Sequence, residues 1–539
     1  MTRPNSPFSS LFALSLVLVA ACEERPTPHD ATVAPRDVPI APRLVVDVPV
    51  VTDVYVVTRP PIDRIMAATT SAPVRREPRR DAPLEGYLRS GAVVEVEEGP
   101  LSREGCIVRQ GISHGGWYRL KGGGYVCVGG IFAEPFPTRS RAPAQPDLDA
   151  AMPYRYAISY GKAMMYRRLP TMDDLRQFEP WRFARPTADG GGDMDASVTA
   201  SVEDRPAPTV TAVVRDAGRP RLEDLEGENG GPVIRRMLTG MYVALDRTIR
   251  DSETGERYWH TQSGGFIRDG RLSVVDDAPT FQGVTLDAEH ALPMAWMVSE
   301  TGSSYTINPE GTMITSPRRV PRLTGVTLLD APPVTVRTRN YYRTTDGHAV
   351  FVPNVRRASV RTPPEGVGPG ERWIDVDLDE QVLVAYEGAR PVYASLVSSG
   401  RKTRRDAPER FETPSGSFRI QSKHITTTMD GDTATDGPYS IEDVPWVMYF
   451  QNSYALHAAF WHNYFGWRMS HGCVNLSPPD ARWFFLWTEP QMPTGWHAVM
   501  ASERRPGTRI ELRHSREGRP SEEGRPAGAA QAVVQPPAR

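Results

Sequence analysis

The segment LHAAFWHNYFGWRMSHGCVNL, Leu456 to Leu476, carries three histidines and one of only four cysteines in a chain of 539 residues. Cys473 directly follows Ser470-His471-Gly472, and His457 lies 16 residues upstream. That set can perform acyl transfer. A cysteine nucleophile works as its thiolate, so it needs a base, and the oxyanion formed by its attack needs hydrogen-bond donors. His457, on a predicted strand just before the cysteine loop, is the candidate base. Gly472 permits a tight turn and leaves its N–H free to face an oxyanion beside that of Cys473. His471 and Ser470 sit where they can tune the loop or the thiol. Asn475 can fix the loop or touch substrate. His424 and His462 stand in no pattern and receive no role.

Cys22 closes an N-terminal leader. Arg3 supplies positive charge, and Leu11–Ala21 is apolar except for Ser15. This run has the length of a signal-peptide core and is too short to span a bilayer. Val19-Ala20-Ala21-Cys22 resembles the bacterial lipobox. The resemblance implies that residues 1–21 are a lipoprotein signal peptide and that Cys22 is acylated, a firm membrane anchor. Glu23 points to the outer membrane under enterobacterial rules, so the expected place is the cell envelope, facing the periplasm. An ordinary signal peptide next to an unrelated cysteine is the alternative. Cys106 and Cys127 flank a Gly- and aromatic-rich stretch and read as a disulfide in an exported protein. Cys473 is then unpaired, a liability in an oxidising compartment unless its chemistry is used. No second cysteine lies near it, which disfavours a redox role.

The 63 basic and 65 acidic residues nearly cancel, which argues against a nucleic-acid partner. With 51 Pro and 45 Gly, folded modules joined by linkers are expected. Residues 22–81 read as a disordered Pro-rich tether. In 82–136, short alternating runs (Ala92–Val96, Trp117–Leu120, Tyr125–Val128) separated by Gly turns predict a small antiparallel barrel that resembles bacterial SH3-like domains. The text of 115–131 recurs, more weakly, at 257–272 and 340–356. It marks a second SH3-like region, 145–280, with a flexible insertion at 187–231, and a third β-rich SH3-like region, 281–365. Residues 514–539 read as a disordered tail.

In 371–513, strands are predicted at Trp373–Val376, Val382–Tyr386, Val392–Val397, 444–450 and 454–460, with a turn at 413–420 leading into a further strand. A helix starts after Ser477, which can cap it, with Pro478 and Asp480 in the first turn. Ser470-His471-Gly472-Cys473-Val474-Asn475, with twelve residues between His457 and Ser470, combines with IDVDLDEQVLVAYEG, VSSG at 397–400 and TPSGSFRI at 413–420. On these residues the region resembles the YkuD family of L,D-transpeptidase catalytic domains. Ala458 stands where many members have Gly or Ser, which matters little if only its carbonyl orients the base. Residues 424–446 match no family pattern and are a candidate lid.

The resemblance implies a mostly β protein: a YkuD-like β-sandwich catalytic domain with a short helix, preceded by SH3-like β-barrel modules. It implies Cys473 as nucleophile, His457 as base, and Ser470, His471, Gly472 and Asn475 as supporting or oxyanion residues, with no metal and no cofactor. The implied substrate is a peptidoglycan tetrapeptide stem. Cys473 would displace its terminal D-Ala, and an amine acceptor would take the acyl group, giving a 3→3 crosslink or protein attachment. Two other readings are a membrane-anchored peptidoglycan-binding scaffold with an inactive catalytic domain, and an L,D-carboxypeptidase that passes the acyl group to water.

Overall fold

The computed structural model describes residues 62–138, 142–183, 220–308, 312, 317–402, 410–433 and 436–516. The leader with Cys22, the tether up to residue 61, residues 187–219 of the insertion and the tail from residue 517 lie outside the described residues.

The C-terminal region is a two-sheet sandwich. One sheet runs Val284–Thr285, Arg390–Leu396, Val382–Glu387, Arg372–Asp377, Arg509–Arg513, Gly416–Arg419 in spatial order. The other is built on a long hairpin, Ser422–Thr433 with Gly437–Gln451, and so takes in the candidate lid as paired strands. It continues through Tyr454–Ala458, antiparallel, to Val474–Leu476, parallel. Ile374, Val376, Leu383, Met448, Leu456 and Leu476 meet between the sheets and pack on Phe484 and Phe485 of the helix Pro478–Trp487. Each such buried side chain contributes about 1.5–3 kcal/mol relative to exposure. Ser477 caps the helix by accepting from the Asp480 N–H at 3.3 Å. Asp480 does more than complement the helix dipole. Buried, it accepts from the hydroxyls of Tyr393 (2.7 Å), Ser395 (2.5 Å) and Ser477 (2.8 Å) and from the Gly283 N–H (2.8 Å). It ties the helix to the first sheet.

The N-terminal barrel begins earlier than its sequence texture indicated. Arg64–Ala67 pairs with Val93–Glu98 on one side and Ala133–Pro135 on the other, and Ala72–Arg75 pairs with Leu84–Leu88. These first strands fall inside the expected tether. Ile65 is fully buried only because partners some 30 and 70 residues away close over it, which nothing in the segment itself announces. Cys106 and Cys127 are bonded, with Cα atoms 5.4 Å apart.

The expected modules are not separate beads. Ala498–Met500 pairs with the catalytic hairpin on one edge and with Leu84–Leu88 of the barrel on the other. Trp496 and Val499 fill the barrel's own core. In the second region a long ribbon, Arg155–Tyr166 with Val233–Arg250, touches the hairpin through Tyr242 opposite Ile441. The end of the expected insertion is ordered: Leu225 is buried, and the Leu222 N–H donates to Asp432 at 2.7 Å. The third region gives Val284–Thr285 to the first sheet and packs Trp296 and Val298 with Trp373, Tyr386 and Phe465. The expected tail also starts later, because His514, Ser515 and Arg516 bind the turn at Asp377, Asp379 and Glu380.

Three regions meet at Asp443. Arg89 of the barrel grips its carboxylate with two N–H groups, at 2.5 and 2.8 Å, Thr426 donates at 2.6 Å, and Tyr156 of the ribbon donates to its backbone carbonyl at 2.7 Å. Arg89 and Asp443 are 9% and 3% exposed. Arg89→Ala is expected to destabilise the chain by about 3–5 kcal/mol in chemical denaturation, because it leaves a buried carboxylate uncompensated. The double variant Arg89→Ala/Asp443→Ala is expected to recover part of that loss.

Candidate active site

Two short parallel strands set the site. Leu456, His457 and Ala458 stand opposite Val474, Asn475 and Leu476. Side chains alternate across a strand. Leu456, Ala458, Val474 and Leu476 point into the sandwich core, while Ala455 and Cys473 belong to a cluster on the opposite face with Val444, Val447, Tyr449 and Trp461. His457, Cys473 and Asn475 therefore share that second face. The backbone of Asn475 exchanges two 2.9 Å bonds with Ser398, and the Ser399 carbonyl accepts from Met469 and Ser470, so the VSSG turn braces the cysteine strand.

His457 is 3% exposed, and its Nδ1 lies 3.0 Å from the Ala458 carbonyl. A carbonyl only accepts, so Nδ1 carries the proton and Nε2 keeps the lone pair. The methyl of Ala458 plays no part in this contact. Burial pushes the imidazole down to about 4, against the opposing effect of that carbonyl. The ring of Trp461 lies 5.9 Å away at 27°.

The Cys473 thiol is half-buried and points to the Ser453 carbonyl at 3.6 Å. Burial pushes it up to about 11. Desolvation favours the uncharged form of both groups. The turn differs from expectation at one point: the Gly472 N–H is not free for an oxyanion. It donates to Ser470 Oγ at 3.1 Å, while Ser470 Oγ donates to the Cys473 carbonyl at 2.5 Å. Ser470 is thus the staple of the turn, and its lone pair takes the donor that sequence had assigned to substrate. Gly472 is required for another reason: its φ is +132°, and an added Cβ would lie 2.5 Å from the Tyr454 ring.

His471 turns away to the hairpin. Its Nε2 is 2.7 Å from Asp436, its ring stacks on Tyr439 at 5.1 Å, and Phe411 meets it edge-on at 4.9 Å. His471 and then Arg401 hold the Asp436 carboxyl well below the usual range. Asn475 pairs with His462 at 2.9 Å. Sequence reasoning missed Asp436, Trp461 and His462, which lie in stretches without a motif and reach the site only through folding.

The site gathers a thiol, an imidazole and a braced turn on one sheet face. Residues 371–512 match the YkuD family model, L,D-transpeptidase catalytic domain. The chain therefore carries a YkuD L,D-transpeptidase catalytic domain at those residues. YciB of Bacillus subtilis (strain 168), a protein named as an L,D-transpeptidase, is 28% identical over 130 residues, which is 21% of this chain and 59% of YciB. The chain thus spans about three-fifths of that relative. An L,D-transpeptidase structure from Xylanimonas cellulosilytica is 26% identical, covering 29% of this chain and 64% of its own, with a TM-score of 0.19. The structure of LD transpeptidase LdtMt1 in complex with imipenem is 21% identical over 34% of this chain and 69% of its own, with a TM-score of 0.21.

Alkylation of Cys473 by iodoacetamide, followed on its own peptide by mass spectrometry, is expected to be slow at pH 7. It should still be rising at pH 10, with a midpoint near 11. A plateau already reached at pH 8 would contradict a neutral resting thiol.

Proposed function

We propose that residues 371–512 form a peptidoglycan L,D-transpeptidase with Cys473 as nucleophile and His457 as base. The observation that supports this reading is the parallel register of His457 with Asn475, two residues after Cys473, in a family-matched domain. The His457 tautomer supports it, since Nε2 is the nitrogen free to take a proton. On attack, the Cys473 proton passes to His457 as Sγ bonds to the carbonyl carbon before the terminal D-Ala. The C–N bond then breaks, and the proton returns from His457 to the leaving amine. A thioester remains. An acceptor amine, deprotonated by His457, attacks it and regenerates the thiol. The Gly472 N–H is engaged by Ser470, so the oxyanion is assigned to the Cys473 N–H. An acylated Cys22 would hold the enzyme at the envelope, where its substrate lies.

The test is peptide-resolved mass spectrometry of the full chain with imipenem, the compound bound to LdtMt1. One drug mass on the Cys473 peptide, lost in Cys473→Ala, is expected. Disaccharide-tetrapeptides should then give either crosslinked dimers, as proposed, or tripeptides, the carboxypeptidase outcome. No adduct on the unaltered chain would overturn the nucleophile assignment.

The pH profile follows from the two groups. His457 serves as base only when neutral, so acylation is lost as pH falls through about 4. The thiol keeps its proton up to about 11. The acylation rate is therefore expected to be flat from about pH 5 to pH 10. A bell centred near pH 7 would contradict a neutral resting pair.

A further inference from the structure

His462 bears no motif, yet it contacts the residue beside the nucleophile. Its Nδ1 lies 3.2 Å from the Tyr464 backbone N–H, and its Nε2 lies 2.9 Å from the Asn475 amide. The Tyr464 N–H can only donate, so Nδ1 is the accepting nitrogen. A neutral imidazole with an accepting Nδ1 carries its proton on Nε2. Nε2–H then needs an acceptor, and the only acceptor on that amide is Asn475 Oδ1. The amide therefore faces His462 with its oxygen, since nitrogen and oxygen of an amide are assigned from the hydrogen-bond network. Placed the other way, Asn475 Oδ1 is buried without a partner. With Oδ1 on His462, the NH2 takes that buried position, on a residue 3% exposed that shares the face of Cys473 and His457. Burial, with the nearby His457 and Arg322, holds His462 uncharged, down at about 3.

We propose that His462 is a positioning residue that fixes the Asn475 amide, so that its NH2 donates to a carbonyl oxygen of the bound acyl donor. The inference rests on the reading of Cys473 as nucleophile. A buried amide donor is costly unless it is bonded, and a substrate carbonyl would supply the acceptor. Prefixed donors of this kind act on the acylation step.

Two measurements on the full chain decide it. In the 15N-histidine-labelled protein, the His462 signal, assigned by its loss in His462→Gln, is expected to report a neutral ring protonated on Nε2 at pH 7. Protonation on Nδ1, or a cationic ring, overturns the proposal. In imipenem acylation of Cys473, Asn475→Ala is expected to lower the saturating rate by about 100-fold with little change in drug affinity. His462→Phe keeps a ring in place but cannot donate, and is expected to lower that rate by roughly 10-fold, about the net worth of one hydrogen bond. His462→Gln, whose NH2 can donate to Oδ1, should recover most of the loss. Unaltered acylation in His462→Phe, or an equal loss in His462→Gln, overturns the proposal. The tautomer is read on the unaltered chain, so it decides even where a variant fails to fold. If the unaltered chain forms no imipenem adduct, the nucleophile reading fails, while the tautomer still tests the His462–Asn475 geometry.

Discussion

The parallel pairing of Tyr454–Ala458 with Val474–Leu476 is the constraint on which the site depends. A slip of one residue would turn His457 and Cys473 into the sandwich core and bring Leu456 and Val474 out. Leu456, Ala458, Val474 and Leu476, all fully buried, forbid that slip. The same apolar contacts that stabilise the sandwich thus fix which side chains can do chemistry.

Parallel strands need a connection that crosses over, and here it is the loop from Ala459 to Cys473. Other regions hold it. Tyr156 and Tyr242 of the ribbon pack on Phe460 with ring centres 4.4 and 5.3 Å away, and Phe460 meets Trp461, the neighbour of His457. From the third region, Arg322 donates to the Phe465 carbonyl at 3.2 Å and Arg356 to that of Gly466 at 2.9 Å. The Arg356 guanidinium also lies 4.5 Å over the Trp467 ring. Regions that read in sequence as independent modules act as splints for the loop between imidazole and thiol.

Burial governs the electrostatics. Desolvation disfavours the charged form of each group, so it raises the thiol and lowers the imidazole. In surroundings of low dielectric each oriented donor counts for more than in water. His471, although in the motif, spends its ring on Asp436 and Tyr439 and so latches the cysteine turn to the hairpin.

The sequence alone determined the local features. Ser-His-Gly-Cys with an upstream histidine, the alternating strands of 371–513, the Ser477 cap and the Gly turns of the barrel all depend on neighbours a few residues apart. Such features are set by backbone sterics, capping and strand alternation, which a short window contains. Tertiary structure alone decided the rest. Ile65 became core rather than tether because distant strands cover it. The Gly472 N–H lost its expected freedom to Ser470, a geometric choice within one turn that residue types leave open. Asp443 came to join three regions through Arg89 and Tyr156, more than 280 residues away in sequence. Buried polar groups must find partners wherever the fold puts them, so the partners of His471 and His462 and the seams between regions were settled by packing and not by spacing.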